Sequence, residues 1–293
     1  MTRKMKVALA VVVLTAPTLL QAQTPFGGFM KGKGKGDVVI SYNSESYDNV
    51  FLVPQKIEGV PVFNQVKINS VNLFATFGLS DKVDVQVSVP YIKSTGAATQ
   101  AVLDNLGYSN ERSGLQDVSL YFKYNPLNLK IGKGNLAFIG AVGVQTPLGS
   151  YKVDESLQSI LAIGNRATQL NTYVMAQYKS DAGIFLNGSI GYSARTTDVP
   201  DAFVTQIKAG YAGKYFYVDV YAASQTSTSG ADILKEGFTA FFPATRVSYN
   251  RIGVSGYVPL GKGVGLAGGY SAYTSGRNIG ESKGGYGGLV YSF

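Results

Sequence analysis

The residue types that can carry chemistry are restricted at once, because the 293-residue chain contains no histidine and no cysteine. Without an imidazole or a thiol, the serine and cysteine triads and the usual structural zinc sites cannot be built. The remaining candidates are 18 Asp and Glu carboxylates, together with lysine, tyrosine and hydroxyl groups. Carboxylates in such numbers are ordinary, so we predict that the chain is not an enzyme and uses no metal ion and no cofactor.

One glycine-rich stretch nearly has the spacing of a phosphate-binding loop. Gly256 is followed by Gly261 and Lys262, but Gly263 stands where a Ser or Thr would bind magnesium. Residues 27–34 make the same near match. A phosphate-binding loop must lead into a helix, and no helical period follows Gly263. We therefore interpret residues 256–263 as a hairpin turn.

The composition excludes several classes of protein. Charged residues make up 15% of the chain and hydrophobic residues 45%, with 36 glycines and 20 tyrosines. Soluble domains carry about 25% charged residues, so some surface of this chain faces something other than water. Disorder would require fewer aromatic residues, and a helical membrane protein would require runs of about 20 apolar residues, which the sequence lacks.

The first 22 residues have the pattern of a signal peptide. A basic start with Arg3, Lys4 and Lys6 precedes an apolar run over residues 7–20, and Ala22 ends a small-residue cleavage site. The apolar run is too short to span a membrane. Residues 23–36 then form a leader rich in Gly and Lys, with Lys31, Lys33 and Lys35 separated by glycines. Contact with anionic groups is one interpretation, but we favour a flexible, solvated leader.

From residue 37 onward the sequence alternates between apolar and polar positions, which is typical of strands with one apolar face. Residues 83–91 show it clearly, with valines and a tyrosine at the odd positions and Asp84, Gln86, Ser88 and Pro90 between them. The pattern predicts twelve strands, at 37–43, 66–78, 83–92, 114–124, 135–146, 167–179, 184–195, 203–211, 215–225, 245–258, 264–275 and 282–293.

The connections between these strands alternate between short and long, which favours one architecture. Outer-membrane barrels have short periplasmic turns and long extracellular loops, whereas a soluble sandwich has no such constraint. A closed barrel also leaves no unpaired strand edge in the hydrocarbon. We predict an all-β fold, a transmembrane antiparallel up-and-down β-barrel over residues 37–293, in the bacterial outer membrane after signal-peptide cleavage.

Charged and polar residues on the non-apolar faces must then point into the lumen, because a lysine or arginine facing lipid at the midplane costs about 2–4 kcal/mol. Two interpretations stay open: a hydrogen-bonded network that fills the barrel, or a charged pathway that selects solutes. Twelve strands should leave a narrow lumen, partly obstructed by loops or by the leader. The candidate lumen-lining residues are Asp84, Gln86, Asp117, Tyr121, Lys123, Asn171, Gln177, Tyr217 and Asp219.

The chain resembles the outer-membrane barrels of the meta-pathway of phenol degradation family. The resemblance rests on FGLSDKVDV at 77–85, VSVPY at 87–91, GLQDVSLYFKY at 114–124 and GVQTPLG at 143–149. It implies a channel for small solutes, with hydrophobic or aromatic compounds as one option. The C-terminal residues Leu289, Tyr291 and Phe293 share one strand face and resemble the assembly signal read by the barrel-assembly machinery.

We therefore expect an outer-membrane channel for the passive or substrate-biased passage of small solutes. The alternative is a filled barrel that serves a structural or surface-interaction role through its long loops. A membrane-embedded hydrolase is the weakest option without histidine. The expected partners are outer-membrane lipids, the barrel-assembly machinery and a small-molecule solute, and not nucleic acid.

Overall fold

A computed structural model describes residues 27–53, 55–153, 156–236, 238 and 241–293. The predicted signal peptide and residues 23–26 of the leader lie outside this part of the chain. No helix within the described residues is long and apolar enough to cross a membrane.

The described chain is built almost entirely of strands, with one short helix α1 and two 3-10 helices, Ser156–Leu161 and Phe242–Ala244. The helix α1 spans Gln100–Leu106 and ends at Gly107 in the left-handed conformation. The strands are β1 Gly36–Tyr47, β2 Asn49–Phe51, β3 Lys56–Glu58, β4 Val66–Ser80, β5 Val83–Gly96, β6 Glu111–Leu115, β7 Asp117–Lys130, β8 Gly134–Pro147, β9 Gln169–Ser180, β10 Ile184–Arg195, β11 Ala202–Ala212, β12 Tyr217–Ser227, β13 Ser248–Gly261, β14 Val264–Arg277, β15 Ile279–Gly280 and β16 Lys283–Ser292.

Twelve long strands close into one antiparallel barrel, which confirms the predicted fold class. The order runs from β4 through β1, β16 and β14 and then back strand by strand to β5, which pairs with β4 and so completes the ring. The first strand lies between β4 and the last strand, with Val39 opposite Phe74 on one side and Val290 on the other. Closure pairs each of these twelve long strands on both sides and removes the sheet edges within the barrel wall.

The predicted strand 114–124 is divided in the structure. β6 and β7 both pair with β5, and Gln116 lies between them with its N–H donating to the carbonyl of Pro90. β7 then continues to Lys130, beyond the predicted end, and its pairing with β8 resumes at Leu127 after a register shift that follows Tyr124. Such a bulge accommodates Pro126, which has no N–H for the ladder.

The two faces of the barrel wall differ as the alternation predicts. On β11 and β12, Ile207 and Val220 are 55% and 59% exposed, while the neighbouring Lys208 and Asp219 are 4% and 1% exposed. A soluble protein buries the opposite set of side chains. Apolar residues facing outward and charged residues facing inward are the arrangement that a barrel in lipid requires.

The stretch with the spacing of a phosphate-binding loop is a tight hairpin turn, as we interpreted it. β13 ends at Gly261 and β14 begins at Val264, with Lys262 and Gly263 both at positive φ, 53° and 78°. Positive φ at two successive residues matches the twist of a β-hairpin. A side chain at Gly263 would also place its Cβ 2.3 Å from the carbonyl oxygen of Ser292.

The long loops pack together at one end of the barrel. β15, β2 and β3 form a separate three-stranded sheet. A hydrophobic cluster joins the loop between β3 and β4 to the helix α1 and the first 3-10 helix through Phe63, Leu103 and Leu161, which are at most 3% exposed. Long loops of outer-membrane barrels lie on the extracellular side. This end therefore carries a packed extracellular cap.

Candidate functional site

The interior of the barrel is the candidate site, and all nine sequence-predicted lumen residues lie on its wall. Each of them is buried, from Asp84 at 0% to Gln86 at 8% exposure. The contacts that they make divide them among three zones of the lumen. Their contact with a solute stays a prediction.

The first zone holds a buried cluster of charges. Asp84 on β5 lies opposite Lys123 on β7 in the strand register. The Lys31 N–H donates to Asp84 at 3.0 Å, and the Lys31 side chain pairs with Asp37. The Lys123 ammonium donates to the carbonyl oxygens of Gly27 and Phe29. Buried charges are tolerated only when they are paired or hydrogen-bonded, so leader and wall satisfy each other here.

The leader therefore lies inside the barrel, and the expectation of a solvated leader is wrong for its first described residues. Phe29 places its ring 5.1 Å from Phe185 and 6.3 Å from Tyr217, both edge-on. Met30 packs against the cluster that contains Tyr121 and Met175. Apolar side chains are stabilised by leaving water. Of the three glycine-spaced lysines that we expected to be solvated, Lys31 is buried and pairs with Asp37 on β1. Further along the leader, Lys33 and Lys35 are exposed, as expected.

The fit between leader and wall depends on glycines. A Cβ added at Gly28 would lie 2.4 Å from the side-chain oxygen of Gln177, one of the nine candidates. A Cβ added at Gly78 on β4 would lie 2.0 Å from the carbonyl oxygen of Gly32. Gly78 also exchanges backbone hydrogen bonds with the leader, through the Gly34 N–H and the Lys35 carbonyl. Only hydrogen at these two positions permits so close an approach.

The second zone lies beside the leader and keeps an open space. Asp117 accepts a hydrogen bond from the Tyr151 hydroxyl of an extracellular loop and another, at 3.2 Å, from Gln145 on β8. Together with Gln86 and Tyr121, Asp117 lines a polar cavity of about 160 Å³. Tyr121 accepts a hydrogen bond of 3.0 Å from Asn171. Four of the nine predicted residues thus surround or adjoin one water-accessible space.

The third zone is a compact network on the opposite wall. Lys208 lies 3.6 Å from the carboxylate of Asp219, and the Tyr217 hydroxyl donates to the same carboxylate at 2.5 Å. The Lys208 ammonium also lies 5.6 Å from the centre of the Tyr221 ring. These contacts fit the interpretation of a hydrogen-bonded filling better than that of a pathway.

A fourth group, nearer the extracellular end, was largely missed by the sequence analysis. The Arg251 guanidinium lies 5.1 Å from the centre of the Tyr273 ring, and the Tyr249 ring packs edge-on against Tyr273 at 4.9 Å. Arg195 lies within electrostatic range of Tyr249. We call Arg195, Tyr249, Arg251 and Tyr273 the arginine–tyrosine belt. For Tyr249 and Arg251, the alternation with the outward-facing Ile252 and Val254 on β13 was the available signal.

The extracellular loop after β12 is anchored to the barrel by a charged contact. Both carboxylate oxygens of Asp232 accept hydrogen bonds of 2.6 Å from Arg277, at the end of β14. Asn278 donates to the same carboxylate at 3.1 Å. The hydrogen bonds from Arg277 hold the pKa of Asp232 well below its usual range.

We expect Asp232→Asn to free this loop, so that a protease cleaves residues 228–247 faster than in the native chain. A lowered carboxyl pKa contributes stability above the unfolded value of about 3.9, and this contribution is lost only as the pH falls through the folded value. Cleavage of the native loop should therefore be equally slow at pH 8 and pH 5. Asp198→Asn, in another exposed loop, is the control. Equal cleavage of both variants would contradict the anchoring role.

Among the described residues, no group of three or more His, Cys, Asp or Glu side chains is placed to hold a metal ion. The absence of a cofactor and of catalysis stays a prediction.

The closed twelve-stranded wall, its apolar outside and its charged inside define an outer-membrane β-barrel. The chain belongs to the family described as "Putative MetA-pathway of phenol degradation", which matches residues 55–286. This confirms the resemblance seen in the sequence. No curated protein matches the chain.

Two solved structures resemble the chain. The chain is similar to an outer membrane channel from Pseudomonas putida F1, with a TM-score of 0.69 and 12% identity over 89% of this chain and 96% of that chain. It also matches the translocator domain of the autotransporter NalP from Neisseria meningitidis, with a TM-score of 0.46 and 12% identity over 89% of each chain. At 12% identity the likeness to the Pseudomonas putida F1 channel concerns the fold alone.

Proposed function

We propose that the protein is a narrow outer-membrane channel for the passive or substrate-biased passage of small solutes, obstructed by its own leader. The observation that carries the proposal is that a separable segment, residues 27–31, fills part of the lumen and makes its contacts through hydrogen bonds and packing. Side chains of the wall stay attached to the strands that line the lumen. The leader precedes β1 and can leave the lumen without breaking the pairing of the strands.

Further support comes from the cavity beside the leader and from the relatives. The polar cavity at Asp117 has room for several waters at about 160 Å³. The family is described by a pathway of phenol degradation, and the Pseudomonas putida F1 protein of similar fold is described as a channel. Small hydrophobic or aromatic compounds are therefore the solutes that we propose first.

Planar bilayers test this function directly. Purified protein should give discrete single-channel currents, and a chain without residues 27–35 should give larger ones. Currents absent from both proteins would overturn the channel function and favour the alternative, a filled structural barrel. The contacts among Lys208, Asp219 and Tyr217 are the observation that keeps this alternative in view.

We expect Asp117→Asn to shift the ion preference of the channel towards anions, because the variant removes a negative charge from the wall of the cavity. The reversal potential in a salt gradient measures this preference. Asp104→Asn is the matched control, since Asp104 is exposed on α1 and outside the lumen. An unchanged reversal potential for Asp117→Asn would show that permeating ions do not pass this carboxylate.

A further inference from the structure

We propose that the arginine–tyrosine belt is a binding site for a small aromatic anion, such as an arene carboxylate, at the extracellular entrance of the lumen. The proposal rests on the channel function and names the class of solute that the channel captures. It stands on the charge, the exposure and the ring geometry of the belt.

The first argument is that a guanidinium inside the barrel stays accessible. The Arg251 side chain is 30% exposed, although it lies on the inward face of β13. Its Nε and Nη2 atoms donate to the hydroxyl of Ser271, and its carboxylate neighbour Glu45 lies 3.7 Å away. In the described part of the chain no hydrogen bond uses Nη1 of Arg251. A guanidinium with free donors binds a carboxylate strongly.

The second argument is that, among the described residues, neither guanidinium of the belt donates a hydrogen bond to a carboxylate. The Arg195 guanidinium donates hydrogen bonds of 3.1 Å to two neutral oxygens, the carbonyl oxygen of Pro200 and the side-chain oxygen of Gln225. Asp201 is close, but it accepts from the backbone N–H of Arg195 and from the hydroxyl of Tyr192. Glu45 lies 3.7 Å from Arg251, and Asp201 is within electrostatic range of Arg195. An anionic solute can accept the side-chain hydrogen bonds that these carboxylates do not accept, and a cationic solute cannot.

The third argument concerns the rings. Tyr273 lies under the guanidinium of Arg251, and Tyr249 stands edge-on to Tyr273. Tyr249 also lies within electrostatic range of both arginines. A flat arene can pack against the tyrosine rings while its carboxylate meets a guanidinium, and aromatic pairs in such arrangements gain energy beyond the area that they bury. The belt can therefore recognise both the aromatic ring and the negative charge of the solute.

The position of the belt fits capture from outside. Arg195 is the last residue of β10 and Tyr249 the second residue of β13, both at the end of the barrel that carries the long loops. The leader occupies the other end of the lumen, where β1 begins. A solute entering from the extracellular side meets the belt before it meets the leader.

Isothermal titration calorimetry on the folded protein in detergent measures binding at this site independently of channel activity. We use benzoate as the probe, with cyclohexanecarboxylate to remove aromaticity and benzyl alcohol to remove charge. Benzoate should bind about tenfold more tightly than either. Equal binding of all three, or no binding of benzoate, would overturn the proposal.

Two variants separate a binding role from a structural one. Arg251→Gln should weaken benzoate binding about tenfold through the lost charge-assisted hydrogen bonds. Glu45→Gln should strengthen it, because the competing carboxylate is gone, and a merely structural role would not produce this gain. Arg166→Gln, an exposed loop arginine, is the control. Circular dichroism and heat-modifiable gel mobility establish that each variant is folded.

The outcomes for the site and for the channel are distinguishable. Benzoate binding without single-channel current would support the binding site and overturn the channel function. Single-channel current without benzoate binding would support the channel function and overturn the binding site. If Glu45→Gln and Arg251→Gln both bind benzoate as the native chain does, the belt is not the site.

Discussion

Deletion of residues 27–35 should increase the single-channel conductance severalfold. The leader places Phe29 and Met30 between opposite parts of the wall and occupies the ammonium of Lys123 with two of its carbonyl oxygens. Removing it leaves a lumen bounded by a twelve-stranded wall, and the diameter of a barrel is set by the number of its strands. Planar-bilayer recordings of the two proteins under one salt condition make the comparison.

The control for this deletion keeps the length of the leader and removes the apolar side chains through which it packs against the wall. In the double variant Phe29→Ser and Met30→Ser, the rings of Phe185 and Tyr217 lose the partner that packs edge-on against them. The current should then flicker between a low and a high level as the leader leaves and returns. An unchanged conductance in both proteins would show that the extracellular cap, and not the leader, limits the flow.

Gly78→Leu should displace the leader from a chain of full length. The new Cβ would lie 2.0 Å from the carbonyl oxygen of Gly32, and the atoms in its way are backbone that cannot rotate aside. The two hydrogen bonds of Gly34 and Lys35 to Gly78 break with the same displacement. We expect rapid cleavage of the leader by a periplasmic-side protease and a conductance close to that of the deletion.

Gly140→Leu is the matched control for this substitution. A Cβ at Gly140 meets nothing within 4 Å, so the same change of residue leaves the lumen untouched. If both glycine variants retain a protected leader and the native conductance, then the close approach at Gly78 does not hold the leader in place.

The strands could be predicted from the sequence because their pattern is local. Each lipid-facing position must be apolar and each lumen-facing position lies one residue away, so β5 and β9 show their faces over a few residues without knowledge of any partner strand. The same reasoning placed Asp84 and Lys123 on the inward face, where the structure has them. The closed order of strands follows from the alternation of short and long connections.

The contacts inside the lumen could not be predicted because closure creates them. Lys31 contacts Asp84, 53 residues away, and nothing in the glycine-spaced lysines signals a buried partner. The belt joins residues from β10, β13 and β14, whose proximity depends on the barrel being closed. The assembly role of Leu289, Tyr291 and Phe293 stays a prediction, although all three are more than 50% exposed on the outer face.

The pairing of β1 with β16 has a consequence for the order of events during biogenesis. Gly36 and Phe293 exchange two backbone hydrogen bonds, so this pairing joins segments that lie far apart in the sequence. Contacts of such sequence separation form late, since the intervening chain must first be organised. The leader leads into β1, and Phe29 packs against the hydrophobic cluster that contains Val290 of β16. An intermediate in which β16 is not yet paired therefore has an open barrel wall and an incompletely bound leader.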